Sequence, residues 1–418
     1  MTAPGEQSAA RDLAAAVAHR SYGKLIALLC CRIRDVASAE DALAEAFASA
    51  LARWPRTGCP VNPEAWLLTV ARRKLIDLTR RRRSGETAAD ELVVRSELAD
   101  GDAGETPIPD RRLALMFACA HPAIDVAVRA PLMLQVLLGL DAAMIASAFL
   151  TAPSTMGQRL VRAKQKIREA GIPLAVPERE QLPARLEAVL DAIYAAYAQG
   201  WSDPSGTDVA RRELAAEAIY LGRIVSDLLP EEPEALGLLA LMLHAEARRA
   251  ARRDAQGQFV PLAEQNPADW NAAQIAEAES LLLRAGARGA IGRFQLEAAL
   301  QSAHIHRRRT GEANGEAVLQ IYDALLELTH SPVVAINRAL VLSELRGVSA
   351  ALAALGGVEI DARLREYQPY WAARAELLAR AGDLAAAREA YEIAIGLEAD
   401  PAVRGFLQRQ LEALTRRS

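Results

Sequence analysis

The chain has 418 residues, of which 51% are hydrophobic and 24% charged, and its formal net charge is −4. This length predicts two or three domains, and the hydrophobic fraction excludes a disordered protein. The first residues do not resemble a secretory signal, and the longest apolar stretches fall short of the roughly 20 residues that a membrane span requires. A usage rich in Ala, Leu, Arg and Glu favours helices. We therefore predict an all-α cytoplasmic protein with no membrane partner.

The charge is distributed unevenly along the chain. Residues 1–83 carry +6 and residues 111–172 carry +5, whereas residues 84–110 carry −7 and residues 173–418 carry −8. Two cationic modules separated by an anionic tether are typical of a protein whose first part meets a polyanion. The overall net charge hides this pattern.

Composition also marks the predicted domain boundaries. Residues 10–83 read as a compact helical unit, and residues 84–109, which are acidic and poor in large apolar side chains, read as an extended or disordered linker. Helical periodicity resumes over residues 110–172. After a second break, residues 183–418 are predicted to form a third, wholly helical domain.

The third domain contains a pattern with tetratricopeptide-repeat (TPR) spacing near its end. Small residues recur where two antiparallel helices would touch, and a glycine marks the turn between them. The positions are Trp371, Ala375, Gly382, Ala387, Tyr391, Ala394 and Pro401. We predict a TPR-like helical-repeat domain, which would offer a surface for a protein or peptide ligand.

One predicted helix, residues 66–83, has two faces of opposite character. The apolar stripe that should be buried consists of Leu68, Ala71, Leu75 and Leu78. The cationic face carries Arg72, Arg73, Lys74, Arg80, Arg81, Arg82 and Arg83. Such a face suits a polyanion because each phosphate contact releases counterions, although charge runs also occur as solvated helix faces. Both interpretations stay open for this helix taken alone.

Residues 139–168 are predicted to form a helix-turn-helix. The first helix would end near Leu150, and Ser154 would cap the second. The side of the second helix predicted to face inward consists of Met156, Leu160, Ala163 and Ile167. The DNA-binding candidates are Ser154, Thr155, Gln158, Arg159, Arg162 and Lys166. They offer donors for base edges and phosphates in a major groove, and the alternative is again a solvated basic face.

Taken in order, these segments resemble a bacterial extracytoplasmic-function RNA polymerase sigma factor of the sigma-70 superfamily. Residues 39–47 (AEDALAEAF) resemble the helix that grips the polymerase clamp, and residues 66–81 resemble the helix that melts and holds the −10 promoter element. Residues 155–164 (TMGQRLVRAK) resemble the helix that reads the −35 element. The helical continuation is similar to the subgroup with a TPR-like C-terminal extension. The resemblance implies two small helical sigma domains, at residues 10–83 and 110–172.

The resemblance also implies roles for particular residues. Asp41 and Glu45, one helical turn apart, would meet basic residues of the polymerase clamp, or else form a solubilising face. The loop 53–62 would capture a flipped −10 base, or else be a plain connector. Trp66 is expected in the core. Arg73 stands where the family often has Asn, so base selectivity is not carried over to that position.

These expectations combine into a sigma factor that binds core RNA polymerase and promoter DNA, with the C-terminal domain regulating it in cis. The sequence lacks a P-loop, a nucleophile elbow and an HExxH motif, so we predict no enzyme and no cofactor. His304 and His306 adjoin three arginines, which disfavours a metal site. Two other interpretations stay open: a helix-turn-helix transcriptional regulator with a TPR-like sensing domain, and a TPR adaptor without a role on DNA.

Overall fold

A computed structural model of the chain describes residues 4–33, 35–82, 108–172, 175–201, 209–357 and 364–416. Over these ranges the chain consists of helices and their connections, with an isolated antiparallel bridge between Arg253 and Phe259. The all-α prediction is confirmed. The predicted acidic linker, residues 84–109, lies outside the described residues except for its last two positions. The helices form two compact units, Met1–Ala196 and Tyr197–Ser418.

The first unit begins with three long helices and continues with four shorter ones. They are α1 (Pro4–Ile33), α2 (Val36–Thr57), α3 (Pro63–Arg82), α4 (Arg111–Cys119), α5 (Val126–Leu138), α6 (Ala142–Ala148) and α7 (Pro153–Glu169). Aspartates set several of the starts, because their carboxylates accept hydrogen bonds from first-turn backbone N–H groups. These capping residues are Asp35 for α2, Asp110 for α4, Asp125 for α5 and Asp141 for α6.

Helix α1 is the centre of the first unit, since it packs against α2 and α3 and also against α4 and α5. A Cβ atom added at Gly23 would lie 2.1 Å from the carbonyl oxygen of Leu137, so only glycine allows α1 and α5 to approach this closely. Leu25, Ile26 and Leu29 on α1 are fully or almost fully buried. The two predicted sigma domains therefore share one core in this structure.

The second unit is a succession of helices that follows α8 (Pro183–Trp201). They are α9 (Val209–Leu228), α10 (Pro233–Glu246), α11 (Ala272–Gly286), α12 (Arg293–Thr310), α13 (Gly315–Thr329), α14 (Pro332–Leu345), α15 (Val348–Gly356), α16 (Gln368–Ala381), α17 (Leu384–Leu397) and α18 (Pro401–Thr415). Neighbours in sequence pack as neighbours in space over much of the unit, for example α13 on α14 and α16 on α17.

Helix α10 is buried along nearly its whole length, from Ala235 to His244, and packs against α11 and α12. Its first turn also organises its neighbour. The two carboxylate oxygens of Glu234 accept hydrogen bonds from the backbone N–H groups of Phe294 (3.0 Å) and Gln295 (3.1 Å) at the start of α12. A residue of α10 thus supplies the N-terminal cap of α12.

The segment with predicted repeat spacing forms the hairpin of α16 and α17. Gly382, with a φ of 87°, ends α16 in the left-handed region that glycine favours. Asp383 then caps α17 by accepting a hydrogen bond from the Ala386 N–H at 3.1 Å. Ala375, Ala387 and the ring of Tyr391 are buried together. The antiparallel pair and its turn are as predicted, and membership of the TPR class stays a prediction.

Candidate nucleic-acid interface

The six predicted DNA-binding residues of α7 are all exposed: Ser154, Thr155, Gln158, Arg159, Arg162 and Lys166. The opposite side of the helix buries Met156, Leu160 and Ile167 and half-buries Ala163. Helix α7 therefore has an apolar inner face against α5 and α6 and an outer face with three cations in solvent. Cations that keep their hydration and project from one face can meet a phosphate backbone without prior rearrangement.

The start of α7 differs from the prediction. Its N-cap is Ala152, which makes no side-chain cap, and Pro153 occupies the first helical position. The capping role predicted for Ser154 is therefore wrong. A proline at the first helical position lacks an N–H that would have no partner there, and its fixed φ starts the helix two residues earlier than predicted. The preceding helix ends at Ala148, and the turn includes Leu150 at a φ of 47°.

The buried stripe of α3 is also displaced from the prediction at its beginning. Leu67, Ala71 and Leu75 are buried, whereas Leu68 is only half-buried, so the stripe follows an i, i+4, i+8 spacing. Both spacings fit a helix, and the local sequence does not distinguish two adjacent leucines. The side chain of Leu78 lies outside the described residues.

The predicted DNA-binding cations of α3 are only partly described. Arg73 is exposed, and Arg72 and Lys74 are partly exposed. The predicted cationic face continues with four arginines whose side chains lie outside the described part of the chain: Arg80, Arg81, Arg82 and Arg83. Of these, Arg83 lies wholly outside it. The described portion is consistent with a basic outer face, and its role on DNA stays a prediction.

An ion pair joins the predicted DNA and polymerase surfaces. Lys74 on α3 lies 2.6 Å from a carboxylate oxygen of Glu45 on α2, with side-chain exposures of 44% and 55%. Asp41, one turn before Glu45, is exposed on the same side of α2. A pair this exposed contributes at most about 1 kcal/mol, so either partner can exchange it for a contact with another molecule.

The connection between α2 and α3 is shorter than predicted. Helix α2 continues through Pro55 to Thr57, so the first half of the predicted 53–62 loop is helical. Pro55 has no backbone N–H, so it removes one helical hydrogen bond near the end of α2. The helix nevertheless continues, and the adjacent Trp54 is buried. The ring of Trp66 lies 5.5 Å from that of Trp54, edge to face. Trp66 is half-buried, so it packs on a core residue at the edge of the core.

A largely buried ion pair connects α2 to α7. Lys164 Nζ lies 2.9 and 2.7 Å from the two carboxylate oxygens of Glu40, and both side chains are about one-fifth exposed. Burial and the charge of Glu40 raise the pKa of Cys119 to about 12, and they also raise the pKa of Tyr22. This pair was not found from the sequence, because its members stand 124 positions apart and belong to no local period.

The described residues contain neither a metal-binding cluster nor a helix that could span a membrane. Among those residues, no three His, Cys, Asp or Glu side chains gather in a group that could hold a metal ion. His306 lies 3.0 Å from Glu312, an exposed pair at the end of α12. None of the described helices is both long and apolar enough to span a bilayer.

Two family models match parts of the chain, and one relative matches most of its length. Residues 17–85 match sigma-70 region 2, and residues 185–286 match a family of unknown function (DUF6596). Over 390 residues the chain is 36% identical to "Uncharacterized protein R00370" of Rhizobium meliloti (strain 1021), with 91% of each chain covered. No solved structure matches the chain.

Proposed function

Because this chain belongs to one family with the Rhizobium meliloti protein and contains sigma-70 region 2, the mark of a sigma-70 family sigma factor, we propose that it is an extracytoplasmic-function sigma factor. It binds core RNA polymerase, directs it to promoter DNA and helps to open the −10 region. The polymerase performs the chemistry.

The observation that carries this proposal is the sigma-70 region 2 match at residues 17–85, which contains all of α2 and all of α3. On α2, Asp41 and Glu45 contact basic residues of the polymerase. On α3, Arg72, Arg73 and Lys74, continued by Arg80–Arg83, hold phosphates of one unwound promoter strand. The exposure of Asp41, Glu45 and Arg73 supports these assignments.

The second module reads the −35 element through α7. The exposed outer face that includes Gln158, Arg159 and Arg162 enters the major groove, and α6 precedes it as the first helix of a helix-turn-helix. Support comes from the separation of the two faces of α7. The three cations are exposed, whereas the apolar side packs into the first unit.

Promoter binding requires the first unit to open. The names of the −10 and −35 elements place them about 25 base pairs apart, which is roughly 85 Å of duplex at 3.4 Å per pair. A compact unit of this length has a radius of gyration of roughly 16 Å, too small to reach both elements. Opening would separate α1 from α4 and α5 and break the Glu40–Lys164 pair. Contacts with core RNA polymerase that only the opened unit can make supply the energy for this step.

The C-terminal unit regulates the factor in cis. Residues 173–418 carry −8, opposite in sign to the modules at residues 1–83 and 111–172. An anionic domain in the same chain as two cationic DNA-binding faces lowers their attraction for phosphates. A chain that ends after Trp201 should give a different transcription output from the full chain, and equal outputs would contradict regulation in cis.

Run-off transcription with the purified full chain and core RNA polymerase tests the main proposal. We expect promoter-specific transcripts only when both are present, and weak binding of the chain alone to promoter duplex. The triple variant Arg72→Gln, Arg73→Gln, Lys74→Gln should lose transcription, whereas Arg388→Gln, an exposed arginine of the second unit, should not. Salt-sensitive binding to duplex without polymerase would instead indicate a classical regulator, and binding to neither would indicate an adaptor.

A further inference from the structure

The second unit contains a cavity of about 650 Å³ near the ends of α8 and α10 and the start of α11. This volume lies within the roughly 300–1,000 Å³ of small-molecule sites in proteins. Its lining carries four arginines against two carboxylates. These charged residues are Arg212, Arg249, Arg252, Arg253, Glu246 and Asp269. The cavity is therefore cationic although the unit as a whole is anionic.

Two of the arginines are held in place by the end of α8. The guanidinium carbons of Arg249 and Arg252 lie 4.9 and 4.6 Å from the ring centroid of Trp201, within cation–π distance. Arg249 also donates a hydrogen bond to the carbonyl of Gly200 at 3.2 Å, and Arg252 donates one to the carbonyl of Trp201 at 3.3 Å. Fixed guanidinium groups lose little conformational entropy when they bind a ligand.

The positive charges of the cavity arginines are unevenly compensated by carboxylates. Arg249 forms an ion pair with Glu246 at 2.9 Å, and Arg253 forms one with Asp400. Arg252 has no carboxylate within ion-pair distance in the described part of the chain. Burial lowers the pKa of Arg252, and the charges of Arg253 and Arg249 lower it further, against a smaller opposing effect of Asp400. The attraction of an anion beside Arg252 would offset the cost of its burial and the repulsion from Arg249 and Arg253.

The remaining wall of the cavity adds further features that favour an anion. Asn271 and Gln274, at the N-terminus of the 15-residue helix α11, line the cavity. The Asn271 side chain already accepts hydrogen bonds from the backbone N–H groups of Ala273 and Gln274, so the helix adds its partial positive charge and not free backbone donors. Trp270 also lines it and is only 5% exposed. Its indole nitrogen has no hydrogen-bond acceptor among the residues that the structure describes. A buried donor without an acceptor is costly unless a ligand or water satisfies it.

We propose that this cavity binds a small molecule that bears an oxyanion, a phosphate or carboxylate group, with Arg252 as its main ligand and Arg249 beside it. The planar fork of an arginine matches both groups in a bidentate way. The limited volume of this partly open cavity favours a small anion over a nucleic acid strand. All the lining residues lie at positions 201–274, inside the stretch that matches the family of unknown function. The site does not depend on the role proposed for the first unit.

The test measures binding of inorganic pyrophosphate and of citrate to the full chain, by calorimetry and by thermal unfolding at constant ionic strength. We expect at least one of the two to bind and to raise the unfolding temperature above a sodium chloride control. The stronger probe identifies a phosphate or a carboxylate as the preferred group. Arg252→Gln should weaken binding at least tenfold, and Arg388→Gln, on an exposed face of α17, should leave it unchanged.

A second variant keeps the test decisive if Arg252→Gln fails to fold. Arg252→Lys retains the charge but loses the fork, so it should fold and bind several-fold more weakly than the natural chain. Absence of binding by both probes, or equal binding by the natural chain and both Arg252 variants, would overturn the proposal. Because no polymerase is present, failure here leaves the transcription result unaffected, and the reverse also holds.

Discussion

The cations of α7 and those of the C-terminal cavity belong to the same residue types but lie in opposite surroundings. Arg159, Arg162 and Lys166 project from one helix face into solvent. Arg249 and Arg252 are partly buried against Trp201 and tied to backbone carbonyls. Solvated cations on an open face suit a long polyanion of repeating charge, whereas partly buried and oriented arginines suit a small anion. Surroundings, and not the number of charges, separate the two proposed functions.

The largest effect is expected from removal of the exposed cations of α7. Replacing Arg159, Arg162 and Lys166 by Gln should weaken promoter binding of the polymerase complex at least a hundredfold, at about 1 kcal/mol or more for each lost contact. The slope of log affinity against log salt should fall by nearly one for each lost phosphate contact. Fluorescence anisotropy with labelled promoter over a salt series measures both. Arg388→Gln, an exposed arginine of α17, is the control, and an unchanged slope in the triple variant would contradict the assignment of α7.

The next effect concerns a buried titratable group of the second unit. His244 is fully buried on α10, and burial together with the charge of Arg248 lowers its pKa to about 4. The unfolded chain binds this proton below a pKa of about 6.5, so stability is complete above pH 6.5 and falls as the pH drops towards 4. The loss amounts to about 3 kcal/mol at 1.4 kcal/mol per unit of pKa.

Urea unfolding of the second unit between pH 7 and 4 measures this loss. His244→Leu removes the titrating group, so its stability should vary less with pH than that of the natural chain. His306→Gln is the matched control, because His306 is half-exposed at the end of α12. Parallel pH profiles for the natural chain and His244→Leu would show that His244 does not titrate as described.

A third effect compares a buried pair with an exposed one. Glu40→Gln should destabilise the first unit by about 1–3 kcal/mol, because Lys164 would remain largely buried without its carboxylate. Glu45→Gln, which removes the exposed partner of Lys74, should change stability by less than about 1 kcal/mol. Chemical denaturation of both variants measures the difference, and equal losses would contradict the burial of the Glu40–Lys164 pair.

The smallest effect separates two glycines. A Cβ at Gly157 would lie 3.8 Å from that of Ala142, an ordinary contact, so Gly157→Ala should stabilise α7 by about 0.5–1 kcal/mol. Gly23→Ala should destabilise the unit clearly, since its Cβ would collide with the Leu137 carbonyl oxygen. Thermal unfolding distinguishes the two. Loss of stability in Gly157→Ala would mean that the helices of this module approach more closely than described.

Local patterns predicted much of the fold and one face of the candidate site. The inner and outer sides of α7 follow from a period of 3.6 residues, which Met156, Leu160 and Ile167 display. Boundaries were less predictable where two local rules competed. Pro153 took precedence over Ser154 at the start of α7, and α2 continued through Pro55 although proline usually ends a helix.

Contacts between distant parts of the chain could not be predicted in this way. Glu40 and Lys164 are 124 positions apart, and Arg252 and Trp201 are 51 positions apart. Nothing in the residues around either member specifies its partner, because packing of whole helices brings them together. In the sequence, the cavity arginines belong to an ordinary basic run at residues 248–253. Only their burial beside Trp201 distinguishes them from a solvated helix face.

The cap that Glu234 provides for α12 has a consequence for cooperativity. Gly292 precedes α12 and offers no side chain of its own, so the first turn of the helix depends on a carboxylate 60 positions earlier. Helices α10 and α12 should therefore open together as one folding unit. The amide hydrogens of Phe294 and Gln295 should exchange with solvent only when α10 undocks. A helix end is ordinarily the first part to fray, and this one should be among the last.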